Sequence, residues 1–459
     1  MTLRLFMFVI LVLSGCVTPG PISVSPPEFD EGLMLYNQRD YRRAELIFNQ
    51  VIARYPGAPF LIQAQWMLAR SIEGQEDLER ALMQYQLFVQ NFPTHPYRSE
   101  ANLKITRLEE KLHSWRKDRQ VHLAVVLPLS HEFSVGLLER WMDRLEKVGV
   151  DTLVVKVFHN GGQNVPLGVF FQTLQAPVLM DGLTMLVRAA HRHHLKVFAW
   201  MSVRQMNWKI QADSRWADLK YDSLKMGLIP TEGLDLFQPA VQDYIIALYQ
   251  DLAGYSLDGI VFGDDLFYKT EEGLGLIARQ QFTMDFGEVF LPKGLNRESL
   301  MVSNDVFWRW IGWKSRQVYH FLNVLKQAVH KTNPLLQFGL MLSEESILNP
   351  LQALKKNSQD LLEAKHQMLD YYVIGVEFAG TQDDFIRLPQ IAARSYQLMG
   401  QPEKVLLRIR IQGTPDASLS RALAPMVGFD PSMFLRLSAL GHEMGLEPLE
   451  FIFRPRSAQ

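Results

Sequence analysis

Between Val121 and Phe453, eight short apolar runs are separated by stretches of amphipathic helix. The runs are 121–128, 152–158, 196–203, 257–263, 336–342, 371–376, 404–411 and 449–453. The helical stretches include 137–148, 181–194, 239–254, 305–330, 384–399 and 431–444. A chain patterned this way lays its strands side by side and packs its helices outside them. Eight such units predict an α/β fold, a (β/α)₈ TIM-type barrel spanning residues 120–459. A doubly wound open sheet is the structural alternative. No G-x-G-x-x-G follows the first run and no P-loop is present, so no nucleotide cofactor is expected.

The first 120 residues follow a different plan. Residues 1–15 carry one cation, Arg4, and an apolar stretch from Leu5 to Leu13 that is too short to span a bilayer as a helix. This is the shape of a secretory signal. It ends in Leu13-Ser14-Gly15-Cys16, a match to the bacterial lipobox, and Cys16 is the only cysteine in the chain. Acylation of Cys16 would hold the mature protein at a membrane. Val17, rather than Asp, follows it, which by resemblance to Gram-negative sorting patterns favours the outer membrane and its periplasmic face. With no second cysteine, stability must come from packed cores. Residues 16–27 are rich in Pro, Ser and Gly and read as a flexible tether.

Residues 28–112 contain an internal repeat. The stretch starting at Asp40 recurs from Asp77, an offset of 37 residues that aligns Ala44 with Ala81, Tyr55-Pro56 with Phe92-Pro93, and Ala64 with Ala101. Small residues at fixed places allow close helix pairing, and each Pro separates one helix from the next. The segment predicts an N-terminal all-α, tetratricopeptide-like domain, which serves either as a helical spacer or as the site of a protein partner. The polar junction from His113 to Gln120 separates it from the barrel.

The formal net charge of −2 excludes the concentrated basic surface that a nucleic-acid partner requires. In barrels of this kind chemistry sits at the C-terminal strand ends. Five acids fall there: Asp264 and Asp265 after the fourth run, Glu344 and Glu345 after the fifth, and Glu377 at the end of the sixth; of these, Asp264, Asp265, Glu344 and Glu377 are the candidate catalytic acids. Carboxylates grouped on such a rim suit glycoside hydrolysis, where one acid protonates the leaving oxygen and another attacks or activates water. Capping of the next segment is the structural alternative for any one of them. Of the adjacent pair, one acid is expected to face the pocket and the other to bond local backbone; Asp264 is assigned to the pocket. Gly263 is expected to allow a sharp turn ahead of them.

Trp200, Trp208 and Tyr268 offer flat faces for sugar rings, and His159 after the second run can reach substrate. In the helix with Trp308, Trp310 and Trp313, only Trp310 is assigned a role at the pocket. His191, His193 and His194 cluster in sequence, but positions i and i+2 of a helix face apart, so no metal site is expected.

The blocks "LKVFAWMSV", "LFQPAVQDYIIALYQDLAGYSLDGIVFGDD" and "FWRWIGWKSR" resemble the C-terminal domain of PgaB-type poly-β-1,6-N-acetyl-D-glucosamine deacetylases over roughly residues 120–412. The resemblance implies a glycoside-hydrolase-like (β/α)₈ barrel acting on partially deacetylated exopolysaccharide in a biofilm. It carries over Asp264 and Asp265 as the acids, and Trp200, Trp310, Lys314 and Arg316 as substrate contacts. The family's His before the acid pair is Gly263 here, and a further family acid falls at Thr270, beside Glu271 and Glu272. The expected function is an outer-membrane-anchored glycoside hydrolase. A non-catalytic polysaccharide-binding or export-scaffold lipoprotein is the alternative.

Overall fold

The computed structural model describes residues 25–75, 77–117, 122–129, 134–161, 166–288, 305–378, 382–411, 431–446 and 449–455. The signal segment, Cys16 and the tether through residue 24 lie outside the described residues. The chain forms two compact units, Met1–Asp118 and Arg119–Gln459.

The first unit is built from α1 (Pro27–Asn37), α2 (Tyr41–Arg54), α3 (Leu61–Gly74), α4 (Leu78–Asn91) and α5 (Arg98–Lys117). The repeat read from the sequence explains its construction. Asp40 and Asp77 cap α2 and α4, their carboxylates accepting from the N–H of Arg43 and Arg80 at 3.3 and 3.2 Å. Such a cap stabilises by about 1 kcal/mol. Ala44, Ala64, Ala81 and Ala101 are all fully buried at helix contacts. Tyr55 and Phe92 end their helices in almost the same backbone conformation, after which Pro56 and Pro93 cannot continue the helix. At Gly32 a Cβ would lie 2.8 Å from Phe48 Cε1, so glycine is what lets α1 lie against α2.

The second unit contains β1 (Leu123–Pro128), β2 (Thr152–Lys156), β3 (Phe158–His159), β4 (Gly168–Val169), β5 (Lys196–Met201), β6 (Ala217–Asp222), β7 (Gly227–Leu234), β8 (Gly259–Phe262), β9 (Gln337–Ser343), β10 (Tyr371–Glu377), β11 (Val405–Ile411) and β12 (Leu449–Phe453). Eight of these close a barrel in the order β1-β12-β11-β10-β9-β8-β5-β2, while β3–β4 and β6–β7 form separate two-stranded sheets. All eight expected runs became barrel strands. Alternation along each strand sends one set of side chains inward. Ala124, Val126, Val154, Phe198, Val261, Met341, Tyr371, Val373, Leu406 and Ile452 fill the interior. The other set packs against the surrounding helices in a larger core.

The last strand departs from (β/α)₈ regularity. β12 runs antiparallel to both neighbours, pairing Leu449 with Ile411 and Phe453 with Leu123. It therefore enters the barrel at the end where the parallel strands finish, which places Glu450 at the mouth rather than the base. Apolar periodicity marks a buried strand but carries no information on its direction.

Candidate active site

Gly263 closes β8 with φ −70° and ψ 163°, an ordinary extended conformation, so the expected sharp turn is not what requires glycine. A close approach does. A Cβ there would lie 2.5 Å from Asp265 Oδ1 and 2.8 Å from Trp200 Nε1. The two acids that follow form one turn of 3₁₀ helix, Asp264–Leu266, and diverge.

Asp265 turns back towards the end of β5. Its Oδ2 accepts from Ser202 Oγ at 2.6 Å and from the N–H groups of Val203, Arg204 and Gln205 at 2.9, 2.9 and 3.0 Å. Four donors on one oxygen make Asp265 the tie between two loops. Both acids line a pocket of about 650 Å³ together with Arg204, Lys220, Glu232, Lys269, Glu272, Ser343 and Gln359, among others, but only Asp265 is tied to the neighbouring loop by these bonds. That volume lies in the range of about 300–1,000 Å³ usual for small-ligand sites. The β6–β7 hairpin supplies one wall, through Lys220 and Ile229 to Gly233. Water reaches Asp264, yet its surroundings desolvate it. Burial first, then the charges of Asp265 and Glu450, raise its carboxyl above the usual range; Arg408 opposes them.

Glu272 lines the same pocket. Its carboxylate accepts from the Lys269 N–H at 3.1 Å and from Arg204 at 3.3 Å. Burial pushes Glu272 up, but Arg204 and the Lys269 N–H outweigh it and hold the carboxyl below its usual range. Sequence reasoning noted this residue only as a neighbour of Thr270. Its relevant partner, Arg204, lies 68 positions away, so no local pattern announces the pair.

Beneath the pocket, Arg204 is fully enclosed. It donates to the carbonyls of Leu234 (3.1 Å) and Phe267 (2.7 Å), pairs with Asp218 (3.1 Å), and stacks 3.6 Å from the Tyr268 ring centroid. Burial pushes Asp218 up to about 7. Lys314 donates to the carbonyls of Lys269 and Glu272 at 2.8 Å each, and burial lowers it to about 7. The loop carrying Glu272 is thus held from below by two cations.

Several expected substrate contacts are corrected by burial. Lys314 is fully buried and clamps this loop. Trp310 is fully buried against Phe282 and Trp313. Tyr268 borders the pocket but is buried, its hydroxyl accepting from the Leu236 N–H at 2.8 Å. Trp208 is buried and donates through Nε1 to the Tyr244 hydroxyl at 3.0 Å. Arg316 is exposed on the helix Asp305–Thr332 and does not line the pocket. His159 stands 3.1 Å from the Pro166 carbonyl through Nδ1 and also lies outside the pocket lining.

Trp200 projects onto the interior cluster, with Lys156 and Arg408 over its ring at 5.6 and 4.8 Å from the centroid. The ring is shared with two cations rather than open as a stacking face. Glu344 pairs with Arg387 at 2.7 Å and Glu377 is exposed at the end of β10; neither lines the pocket. Among the described residues no group of three His, Cys, Asp or Glu could hold a metal ion.

A solved structure shares this architecture. The PgaB (BpsB) glycoside hydrolase domain from Bordetella bronchiseptica is 17% identical, with a TM-score of 0.56 over 70% of this chain and 92% of that one, which establishes the fold. The catalytic domain of β-amylase from Paenibacillus polymyxa is 12% identical, with a TM-score of 0.47 over 66% of this chain and 89% of that one. No curated protein matches the chain. Residues 27–111 match YfiO, described as an outer membrane lipoprotein. Residues 133–381, more than half of the chain, match the family described as hypothetical glycosyl hydrolase family 13, and the chain belongs to that family.

Proposed function

We propose that the barrel is a glycoside hydrolase in which Asp264 is the general acid and Glu272 the ionised partner. One observation carries this reading: of the four carboxylates that line one pocket, Glu232, Asp264, Asp265 and Glu272, the environments of Asp264 and Glu272 push their pKa values in opposite directions. A raised acid keeps its proton for the leaving oxygen, and a lowered one stays charged to attack or to activate water.

The pH dependence follows with definite signs. Activity falls as pH rises through the raised pKa of Asp264, because the acid loses its proton. It falls again as pH drops through the lowered pKa of Glu272, because the partner gains one. A profile of kcat/KM against pH should be bell-shaped, and Asp264→Asn should remove the alkaline limb from the residual activity. A wild-type profile with no alkaline limb would contradict the assignment.

The polymer this reading favours is an exopolysaccharide, and the sequence resemblance nominates partially deacetylated poly-β-1,6-N-acetylglucosamine as the first to test. The lipobox and the match of residues 27–111 to an outer membrane lipoprotein support attachment through Cys16 to the periplasmic face of the outer membrane. No helix among the described residues is long and apolar enough to cross a membrane. Cys16→Ser should shift the protein out of the membrane fraction or leave it unprocessed. Continued fractionation of this variant with outer membranes would refute the lipid anchor.

A second reading, a non-catalytic polysaccharide-binding or export-scaffold lipoprotein with a protein partner on residues 28–112, has one observation in its favour. The position of the family's His is Gly263, where Asp265 and Trp200 leave no room for a side chain. The pH–rate experiment separates the two readings.

A further inference from the structure

The barrel mouth holds a second group of charges that the acid–base pair does not use. Lys156 ends β2, Arg408 and Arg410 lie on β11, and Glu450 lies near the start of β12. Strand alternation turns all four inward, since Val154, Leu406 and Ile452, in step with them, belong to the interior cluster. Glu450 accepts from Arg408 at 2.8 Å and from Arg410 at 2.9 Å. Arg408 directs another nitrogen at the Met341 sulfur, a weak acceptor, at 3.6 Å. Lys156 is half-buried beside the Phe158 and Trp200 rings, and no described residue gives its ammonium a hydrogen bond or ion pair.

Of the three cations, Arg408 and Arg410 share one directly bonded carboxylate and Lys156 has none among the described residues. Of the other acids nearby, Asp265 already accepts four bonds, Asp264 is the acid whose proton burial favours, and Glu377 sits beside Arg410 in register at the rim. Burial lowers Lys156, and Arg408 and Arg410 add to that, outweighing the charges of Glu450 and Asp265, which raise it. A half-buried ammonium without acceptors is costly, and a charge-assisted bond to an anion removes that cost.

We propose that Lys156, Arg408 and Arg410 form a binding site for the carboxylate of an acidic sugar, so that the glycan placed over Asp264 carries uronate-type units. The location rests on the hydrolase reading above, whereas the charge preference does not. A free amine at this place would meet three cations; a carboxylate would meet their unused donors.

The test uses the detergent-solubilised full chain and three probes of equal length: an oligouronate, an N-acetylglucosamine oligomer and its deacetylated amine form. Calorimetry should show the oligouronate binding at least about tenfold more tightly than the other two, with affinity falling as salt rises. Lys156→Met should remove about tenfold of that affinity and Lys156→Arg should retain it. Arg410→Met, at a more exposed position, gives the same reading if Lys156→Met does not fold. Equal affinity for the amine oligomer, or unchanged uronate affinity in both Met variants, overturns the site. Cleavage is scored separately with Asp264→Asn. Lys156-dependent uronate binding with no cleavage of any oligomer upholds the site and defeats the hydrolase reading. Cleavage of a neutral oligomer without uronate preference does the reverse.

Discussion

Asp264→Asn should lower the rate of glycan cleavage by about 10²–10⁴-fold, the usual cost of losing a positioned general acid, while leaving the melting temperature near that of the wild type. The two outcomes separate because of how the pair is held. Asp264 makes no side-chain hydrogen bond to another described residue and lines the pocket, so its amide replacement disturbs little packing. Asp265 is bound by four donors from Ser202 and the following loop, so Asp265→Asn should register chiefly as lost stability. Thermal melts and initial rates on both variants check the assignment. Equal loss of rate without loss of stability in Asp265→Asn would mean that the roles within the pair are reversed.

Arg204→Met should destabilise the barrel by about 3–5 kcal/mol, the cost of leaving a buried charge without its partner. The guanidinium answers Asp218, which is completely buried, and ties β7 and the Glu272 loop through the Leu234 and Phe267 carbonyls. Methionine matches much of the volume but none of these bonds. The pH dependence gives a sharper reading. Burial raises Asp218 to about 7 in the folded chain, above its unfolded value near ~4. This group's contribution to stability is therefore fully present below the unfolded value and lost as pH rises through about 7. Removing Arg204 raises Asp218 further, so the penalty of the variant should be largest at alkaline pH and shrink as the carboxyl takes up a proton. Chemical denaturation at several pH values measures it. A penalty independent of pH would show that Asp218 is not the residue left stranded.

Both folds were legible in the sequence because their signals are periodic. Eight apolar runs became the eight barrel strands, and the repeat of Asp40, Ala44 and Tyr55 at Asp77, Ala81 and Phe92 became repeated caps, contacts and helix ends. What was not legible depends on the third dimension. The run at Leu449–Phe453 shows a buried strand but not its antiparallel direction, and that direction is what brings Glu450 to the mouth. The β6–β7 hairpin, which walls the pocket, has a partly exposed pattern that reads as a linker. Trp310, Lys314 and Tyr268 stand in motif-like blocks near the acids, yet they are core: aromatic and cationic residue types serve loop packing as readily as sugar contact. Glu272 was noted only as a neighbour of Thr270, because an acid there gains its character from Arg204, folded beneath it.

The central claim is that Asp264 and Glu272 together cleave a glycosidic bond. It is tested most directly by incubating purified wild type, Asp264→Asn and Glu272→Gln with partially deacetylated poly-β-1,6-N-acetylglucosamine and with an acidic exopolysaccharide, and resolving the products by mass spectrometry. The predicted result is a ladder of shorter oligosaccharides from the wild type on at least one polymer, reduced about 10²-fold or more in each variant. Intact polymers after wild-type treatment, or undiminished cleavage by both variants, would contradict it.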